Sequence, residues 1–240
     1  MMPSVVILAG GVAKRLRPIT ETIPKAMLTV AGEPFVAHQL RLLQKNGIRK
    51  AVICSGYLSR QIEDFVGNGS QFGLSVTFSI DGEKLLGTGG ALKKALPLLG
   101  EDFFVMYGDS YLTVDLKRVY EYFLTQSSLG LMTVIKNCNA WDNSNIVFAG
   151  GRIIAYDKKR NIPKMDYIDY GLGILKKAAF VGMGQREIFD LSELYQGLIT
   201  QKQICGYEVI QRFYEIGSMS GLKETEAYLL NINKQEQDHG

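Results

Sequence analysis

Histidine is nearly missing from this chain, cysteine is scarce, and no apolar stretch runs long. Only His38 and His239 occur among 240 residues, which excludes a histidine-rich metal centre. Cys54, Cys138 and Cys205 lie far apart with no CxxC pair. An odd, scattered set builds neither a disulfide framework nor a structural zinc site, and it fits a reducing compartment. The first apolar run, residues 5–9, ends at Gly10-Gly11 and is too short for a signal peptide or a membrane span. The expectation is a cytoplasmic protein without membrane contact. Neither sign of charge dominates: 27 basic and 24 acidic residues leave a net charge of +3. That balance gives no nucleic-acid-binding surface, although local basic clusters remain free to meet small anions.

What is present is the composition of a folded protein, 46% hydrophobic and 21% charged. Short β-branched runs alternate with amphipathic segments. Residues 4–8 form an apolar strand pattern stopped by glycine. Pro34 and Gly47 bracket a helix. Residues 51–54 read as strand, 59–66 as helix, 74–80 as strand, and Thr88 as the cap of a helix running to about 99. Residues 103–107 and 131–135 read as further strands around a helix over 116–126. Repeated β-α-β order predicts an α/β fold, a Rossmann-like, mainly parallel sheet flanked by helices.

After about residue 136 the pattern becomes richer in strands. Gly150-Gly151 separates two alternating runs and predicts a hairpin. Residues 170–175, 204–210 and 212–216 are strand candidates. Asp190 and Glu193 have the spacing of a capping box opening a helix to about 201, and a last helix covers 220–230. We therefore expect one domain over 1–235, with a first half to 136, a β-rich lobe with a C-terminal helix over 137–230, and a frayed polar tail over 231–240.

The segment from Leu8 to Lys25 holds the densest chemistry. Gly10-Gly11 directly after a strand lets backbone N–H groups approach a phosphate chain. Arg15 offers a planar fork to phosphate oxygens, and Lys25, after Pro24, offers a compact charge. The glycine spacing is that of neither a Walker A loop nor a dinucleotide fingerprint. Taken alone, the segment also reads as a plain turn with solvated basic residues.

LAGGxAxRLRPxT over 8–20, followed by PKAMLxVAGxPF over 24–35, resembles the signature of the sugar-phosphate nucleotidylyltransferases. The likeness continues through Gly87-Thr88-Gly89-Gly90-Ala91, Tyr107-Gly108-Asp109 and Tyr214-Glu215-Ile216-Gly217-Ser218. It implies an enzyme that joins a nucleoside triphosphate to a sugar 1-phosphate with Mg²⁺ and releases pyrophosphate, acting as a monomer or homodimer. By that resemblance Leu8, Ala9, Gly10, Gly11 and Arg15 would hold the triphosphate, Lys25 the α-phosphate, and Gly87 and Thr88 the base and ribose. Asp109 would be both catalytic and a metal ligand. Glu215 stands where many members carry aspartate or asparagine as the second ligand, and is one methylene longer. Tyr107, Gly108, Asp157, Lys158, Tyr170 and Gly171 would face the sugar phosphate in a β-rich sugar-binding lobe.

Each of these residues also has a plain reading: Asp109 as a turn aspartate, Glu215 as an edge-strand residue, 157–160 as a solvated loop, Tyr170 as strand core. The short chain resembles the compact heptose and amino-sugar enzymes, with a lean to GTP and heptose 1-phosphate. Uridylyl or thymidylyl transfer, cytidylyl transfer to an alcohol phosphate, and a non-catalytic nucleotide-sugar-binding role are the alternatives.

Overall fold

The structure is a computed structural model that describes residues 2–238 except Val12, Asp142, Lys159 and Asn161. In chain order the first half comprises β1 (Ser4–Leu8), a two-residue pair β2 (Thr29–Val30) and β3 (Glu33–Pro34), α1 (Phe35–Lys45), β4 (Lys50–Ser55), α2 (Ser59–Val66), β5 (Ser75–Ile80), α3 (Gly87–Ala95), β6 (Asp102–Tyr107), β7 (Ser110–Tyr111), α4 (Leu116–Leu124) and β8 (Gly130–Lys136). The second half adds β9 (Ile146–Ala149), β10 (Arg152–Tyr156), β11 (Tyr167–Lys176), α5 (Leu191–Thr200), β12 (Ile204–Val209), β13 (Tyr214–Glu215) and α6 (Met219–Asp238).

Nine strands form one sheet in the order β5-β4-β1-β6-β11-β8-β12-β10-β9. The first four are mutually parallel, and their continuous apolar runs suit strands covered on both faces. The rest departs from the expectation of a mainly parallel sheet. β11 returns antiparallel between β6 and β8, and the β9–β10 hairpin closes the edge antiparallel to β12. The sheet is therefore mixed, and it threads both halves of the chain. The strands of the β-rich second lobe extend this same sheet.

Helices α1, α2 and α4 cover one face over Val5, Ile7, Phe104 and Tyr170, while α3 and α5 cover the other over Val6, Val105 and Leu175. In-plane alternation along each strand sends neighbouring side chains to opposite layers. A small third cluster, including Leu16, Val30, Phe35, Ile216 and Leu229, fastens α6 beside α1.

Local chemistry explains most element boundaries. Pro34 precedes α1, and Gly47 (φ +76°) ends it in a conformation that costs glycine little. Gly150 and Gly151 both take positive φ, which gives the β9–β10 turn the twist of its flanking strands. The capping box at Asp190 and Glu193 is formed in full. Thr88 does not cap α3, which starts at Gly87; its hydroxyl instead donates to Asp190 Oδ2 at 3.0 Å. Only Tyr214–Glu215 of the strand expected over 212–216 is extended in a ladder. The polar tail is helical to Asp238, and His239 and Gly240 lie outside the described residues. Among the described residues no helix is long and apolar enough to cross a membrane.

Candidate active site

The chain moves from β1 outward to β4 and β5, then returns to place β6 on the other side of β1. At such a reversal the loops leaving the carboxyl ends of the strands part and leave a crevice. Here the crevice is a cleft of about 340 Å³ lined by Leu8, Ala9, Gly10, Gly11, Ala13 and Lys25, by Asp81, Gly87, Thr88 and Asp190, and by Tyr107, Gly108 and Asp109. The first strand's loop, the helix α3 start and the loop after β6, all far apart in sequence, therefore meet in one place.

Backbone contacts hold this junction. Ala9 N–H donates to Cys54 O at 2.8 Å, and Gly108 N–H to Leu8 O at 3.0 Å. A side chain at 108 would meet Leu8 O at 2.8 Å, so glycine lets β6 pass the loop that follows β1. Gly11 is different: among the described residues no atom outside its chain neighbours lies within 4 Å of where a Cβ would stand, and its φ is not in the positive range. Nothing among the described residues requires glycine there.

Lys25 sits in a single 3-10 turn (Lys25–Met27) closed by Met27 N–H to Pro24 O at 2.8 Å. Its ammonium donates to Asp109 Oδ2 at 2.8 Å, with the two side chains 19% and 31% exposed. The pair is thus partly shielded yet open to the cleft. Gln39, buried on α1, donates to Tyr107 O at 3.0 Å and Ser110 O at 2.8 Å, and so fixes the turn that carries Asp109. The sequence reading missed Gln39, because a mid-helix glutamine has no motif of its own. His38 beside it is buried and bonded to Val30 O at 2.7 Å, an interior histidine without a place in the cleft.

The two-stranded ladder β7–β13 pairs Glu215 with Ser110, and Ile216 N–H donates to Asp109 O at 2.9 Å. Gly217 then lies against Arg15, Asp109 and Glu215 together: a Cβ there would meet Arg15 Nη2 at 3.2 Å, Asp109 Oδ2 at 3.4 Å and Glu215 Oε2 at 2.6 Å. The structure thus gathers Arg15, Lys25, Asp109 and Glu215 around one point. Room for the extra methylene of Glu215 comes from two glycines, since a Cβ at Gly221 would stand 1.8 Å from Oε1. Glu215 Oε1 accepts from Ser218 Oγ at 2.7 Å and Oε2 from Gly217 N–H, so the carboxylate braces the start of α6.

Among the described residues no three His, Cys, Asp or Glu side chains gather as a metal cluster. Mg²⁺ commonly takes one or two carboxylates and completes its shell with phosphates and water. Asp109, two-donor and open to the cleft, fits that pattern. Glu215 fits it only by releasing an oxygen from the α6 turn.

At the other end of the cleft Gly87, Gly89 and Gly90 answer a packing need. A Cβ at Gly87 would meet Phe189 O at 2.6 Å and one at Gly90 would meet Glu187 O at 2.0 Å. Gly89 and Gly90 N–H both donate to Phe189 O, at 3.0 and 3.1 Å. The glycine run therefore brings α3 against the 187–190 loop and sets Thr88 beside Asp190. Asp81 was absent from the sequence reading. It lines the cleft where β5 ends, its Oδ2 accepts from Leu86 N–H at 3.0 Å, and its Oδ1 is enclosed without a partner among the described residues. Burial raises its pKa above the ordinary carboxylate range, against the Leu86 hydrogen bond and the Lys94 charge. Cys54 is an inert buried thiol, pushed up to about 12 by burial and then by Asp81.

The residues expected at the sugar end divide. Tyr107 lines the cleft and donates to Asp169 Oδ2 at 3.2 Å. Lys158 Nζ stands over the Tyr107 and Tyr156 rings, 5.3 and 5.7 Å from their centres. Asp157 turns to Arg160, Nε to Oδ2 at 2.8 Å. Tyr170 is a correction. It is fully buried on the opposite face, packed edge-on against Phe213 with its hydroxyl accepting from Thr113 N–H at 3.1 Å. The register of β11 shifts between Asp169 and Gly173, and such an irregularity re-aims side chains. Gly171 (φ +98°) lies behind Ser110, and it is Asp169 that reaches the tyrosine hydroxyls. Trp141 lies outside this cleft, in a second hollow with Arg212, whose guanidinium covers its ring at 5.5 Å.

A family model described as "Nucleotidyl transferase" matches residues 4–187, and the chain belongs to this family of nucleotidyltransferases. It is 28% identical to an N-acetylmuramate alpha-1-phosphate uridylyltransferase of Neisseria meningitidis over 92% of this chain and 96% of that protein. It is 30% identical to a D-glycero-alpha-D-manno-heptose 1-phosphate guanylyltransferase of Aneurinibacillus thermoaerophilus, over 88% and 92% of the two chains. HddC from Yersinia pseudotuberculosis, solved in complex with GMP-PN, shares the fold with a TM-score of 0.77 at 24% identity, covering 95% of this chain and all of that one.

Proposed function

We infer that this enzyme transfers a nucleoside monophosphate from a nucleoside triphosphate to a sugar 1-phosphate, and that its preferred pair is GTP with a heptose 1-phosphate. The observation that carries the transfer is the Lys25–Asp109 pair set beside the Gly10-Gly11 loop at the strand ends. An oxygen of the sugar phosphate attacks the α-phosphorus, and the bond to the leaving pyrophosphate breaks. Both reactants are anions, so the protein's work is alignment and charge neutralisation. The loop N–H groups and Arg15 hold the triphosphate, and Lys25 meets the charge growing at the α-phosphate. Asp109, and Glu215 once it leaves the α6 turn, would hold a Mg²⁺ ion, whose positive charge would offset the repulsion between the two phosphate groups. Lys158 receives the sugar phosphate at the far end.

The lean to guanine rests on Asp81. Burial disfavours the ionised form of Asp81, but hydrogen-bond donors from a bound base would favour it, and once ionised the carboxylate only accepts hydrogen bonds. Guanine presents two adjacent donors, N1–H and its 2-amino group, whereas uracil and thymine flank a single donor with carbonyl oxygens. The curated guanylyltransferase relative fits the same reading.

The test is pyrophosphate release with Mg²⁺ over a matrix of five nucleoside triphosphates and several sugar 1-phosphates. GTP with heptose 1-phosphate should give the highest kcat/KM, and Asp81→Asn should lose at least about tenfold for GTP, the worth of one charge-assisted hydrogen bond. No release with any pair overturns the transferase reading. A clear preference for UTP or dTTP overturns the base argument alone.

A further inference from the structure

Outside the reacting cluster, a second set of polar groups gathers around β11. Asp169 is half-buried on β11 and receives three hydrogen bonds: Tyr107 Oη at 3.2 Å and Tyr156 Oη at 3.5 Å on Oδ2, and Gly171 N–H at 2.9 Å on Oδ1. Two tyrosines from different strands thus converge on a single oxygen. Burial works to raise the Asp169 pKa, while the Lys158 charge and these donors oppose it. Above both rings stands the Lys158 ammonium. Asp190 faces it from the start of α5, and Tyr195 on that helix completes the titratable groups around the carboxylate.

We propose that Asp169 is a positioning residue for the sugar-phosphate end of the cleft: it locks the Tyr107 and Tyr156 rings by their hydroxyls and so seats the Lys158 ammonium where the acceptor phosphate arrives. The rings alone are weak anchors for a lysine ammonium, which a cation–π contact attracts but does not fix in direction. A negative charge at the hydroxyl end of both rings adds a fixed counter-charge, and the shared acceptor removes the freedom of each ring to turn away. Tyr107 is itself a wall of the cleft. Any displacement of this platform therefore moves the cation and the wall together.

The acceptor part of this assignment rests on the transfer reading above, so two measurements are needed. The first uses the protein alone. Stacked over two rings, the Lys158 ε-methylene protons should resonate upfield, assigned by their loss in Lys158→Met. In Asp169→Asn that upfield shift should collapse towards the value of a solvated lysine. Persistence of the shift in a folded Asp169→Asn protein overturns the proposal, whatever the protein turns over. If Asp169→Asn does not fold, Tyr156→Phe serves in its place: it keeps a ring and removes one donor to Asp169, and it should reduce the shift.

The second measurement is steady-state kinetics with GTP and D-glycero-D-manno-heptose 1-phosphate. Asp169→Asn should raise the KM for the heptose phosphate about tenfold and leave the KM for GTP unchanged. In a Lys158→Met background it should have no further effect. Equal rises in both KM values, or additive losses in the double variant, would mark Asp169 as a general structural residue and overturn the proposal. Absence of turnover with the shift behaving as expected would sink the transfer reading and leave the seating of Lys158 standing.

Discussion

Gly11 and Gly90 make opposite predictions from the same substitution. A methyl at Gly90 would stand 2.0 Å from Glu187 O and 3.0 Å from Leu86 Cβ, and backbone cannot swing aside as a long side chain can. Overpacking of this kind costs roughly 1–3 kcal/mol, and displacing the Phe189 carbonyl weakens two hydrogen bonds worth about 1 kcal/mol each. For a chain of this length about 2–4 °C of Tm is lost per kcal/mol, so Gly90→Ala should melt roughly 5–15 °C lower. A methyl at Gly11 meets nothing within 4 Å and needs no unusual φ. Its stability should stay within about 1 kcal/mol of the parent, with a small gain expected from the stiffer unfolded chain. If the Gly10-Gly11 N–H groups approach a triphosphate, the same methyl keeps them from it. Losing one hydrogen bond to a charged group costs about 1.5–3 kcal/mol, or roughly ten- to a hundredfold in kcat/KM for the nucleotide. Thermal melts and pyrophosphate-release kinetics on both variants decide the matter. A Gly11→Ala enzyme with unchanged stability and unchanged nucleotide KM would refute the phosphate-loop assignment.

Lys25→Ala should lower kcat by about a hundred- to a thousandfold, as expected for removal of one preorganised charge at the reacting phosphate. Asp109→Ala should fall as far with its melting curve intact; near-normal turnover would remove Asp109 from the metal. For Glu215 the comparison is Glu215→Gln with Glu215→Asp: a ligand role predicts an inactive Gln variant and residual Mg²⁺-dependent turnover for Asp, while an active Gln variant leaves only the bracing of α6. Asp190 carries a pH signature. Burial opposes its ionisation, but hydrogen bonds from Ser192 and Thr88 and the Lys158 charge outweigh that and depress its pKa. A depressed carboxylate contributes stability above its unfolded pKa and loses it as pH falls through the folded value. Asp190→Ala should therefore cost about 0.5–2 kcal/mol near neutral pH, and the gap in Tm should close as pH is lowered below the ordinary carboxylate range.

Strand and helix identities were legible because they rest on local rules: apolar period, a proline before α1, a glycine after it, a capping box at Asp190. The glycine loop of the cleft was legible for a related reason, since a strand, two glycines and the following cations are contiguous in the chain. Long-range placement was not. Nothing in the period of β11 says that it returns antiparallel between β6 and β8, because strand direction is fixed by what the connections allow and not by the strand's own residues. Tyr170 was assigned to the sugar end and Asp169 overlooked, since neighbouring side chains on a strand point to opposite faces and only the closed sheet shows which of the two meets the Tyr107 and Tyr156 hydroxyls. Asp81 and Gln39 carry no motif, and their weight comes only from partners far away in sequence.

The sequence alone settled that the chain alternates strands and helices, that a glycine loop with Arg15 and Lys25 follows the first strand, and that the glycines at 87–90 stand at the start of a helix. Tertiary structure settled that Lys25 meets Asp109, that Glu215 braces α6 between two glycines, and that Asp169 lies under Lys158. Local propensity is written residue by residue, whereas each of these meetings depends on strand order, register and the space left by absent side chains. Those quantities exist only once the whole sheet has closed around the cleft.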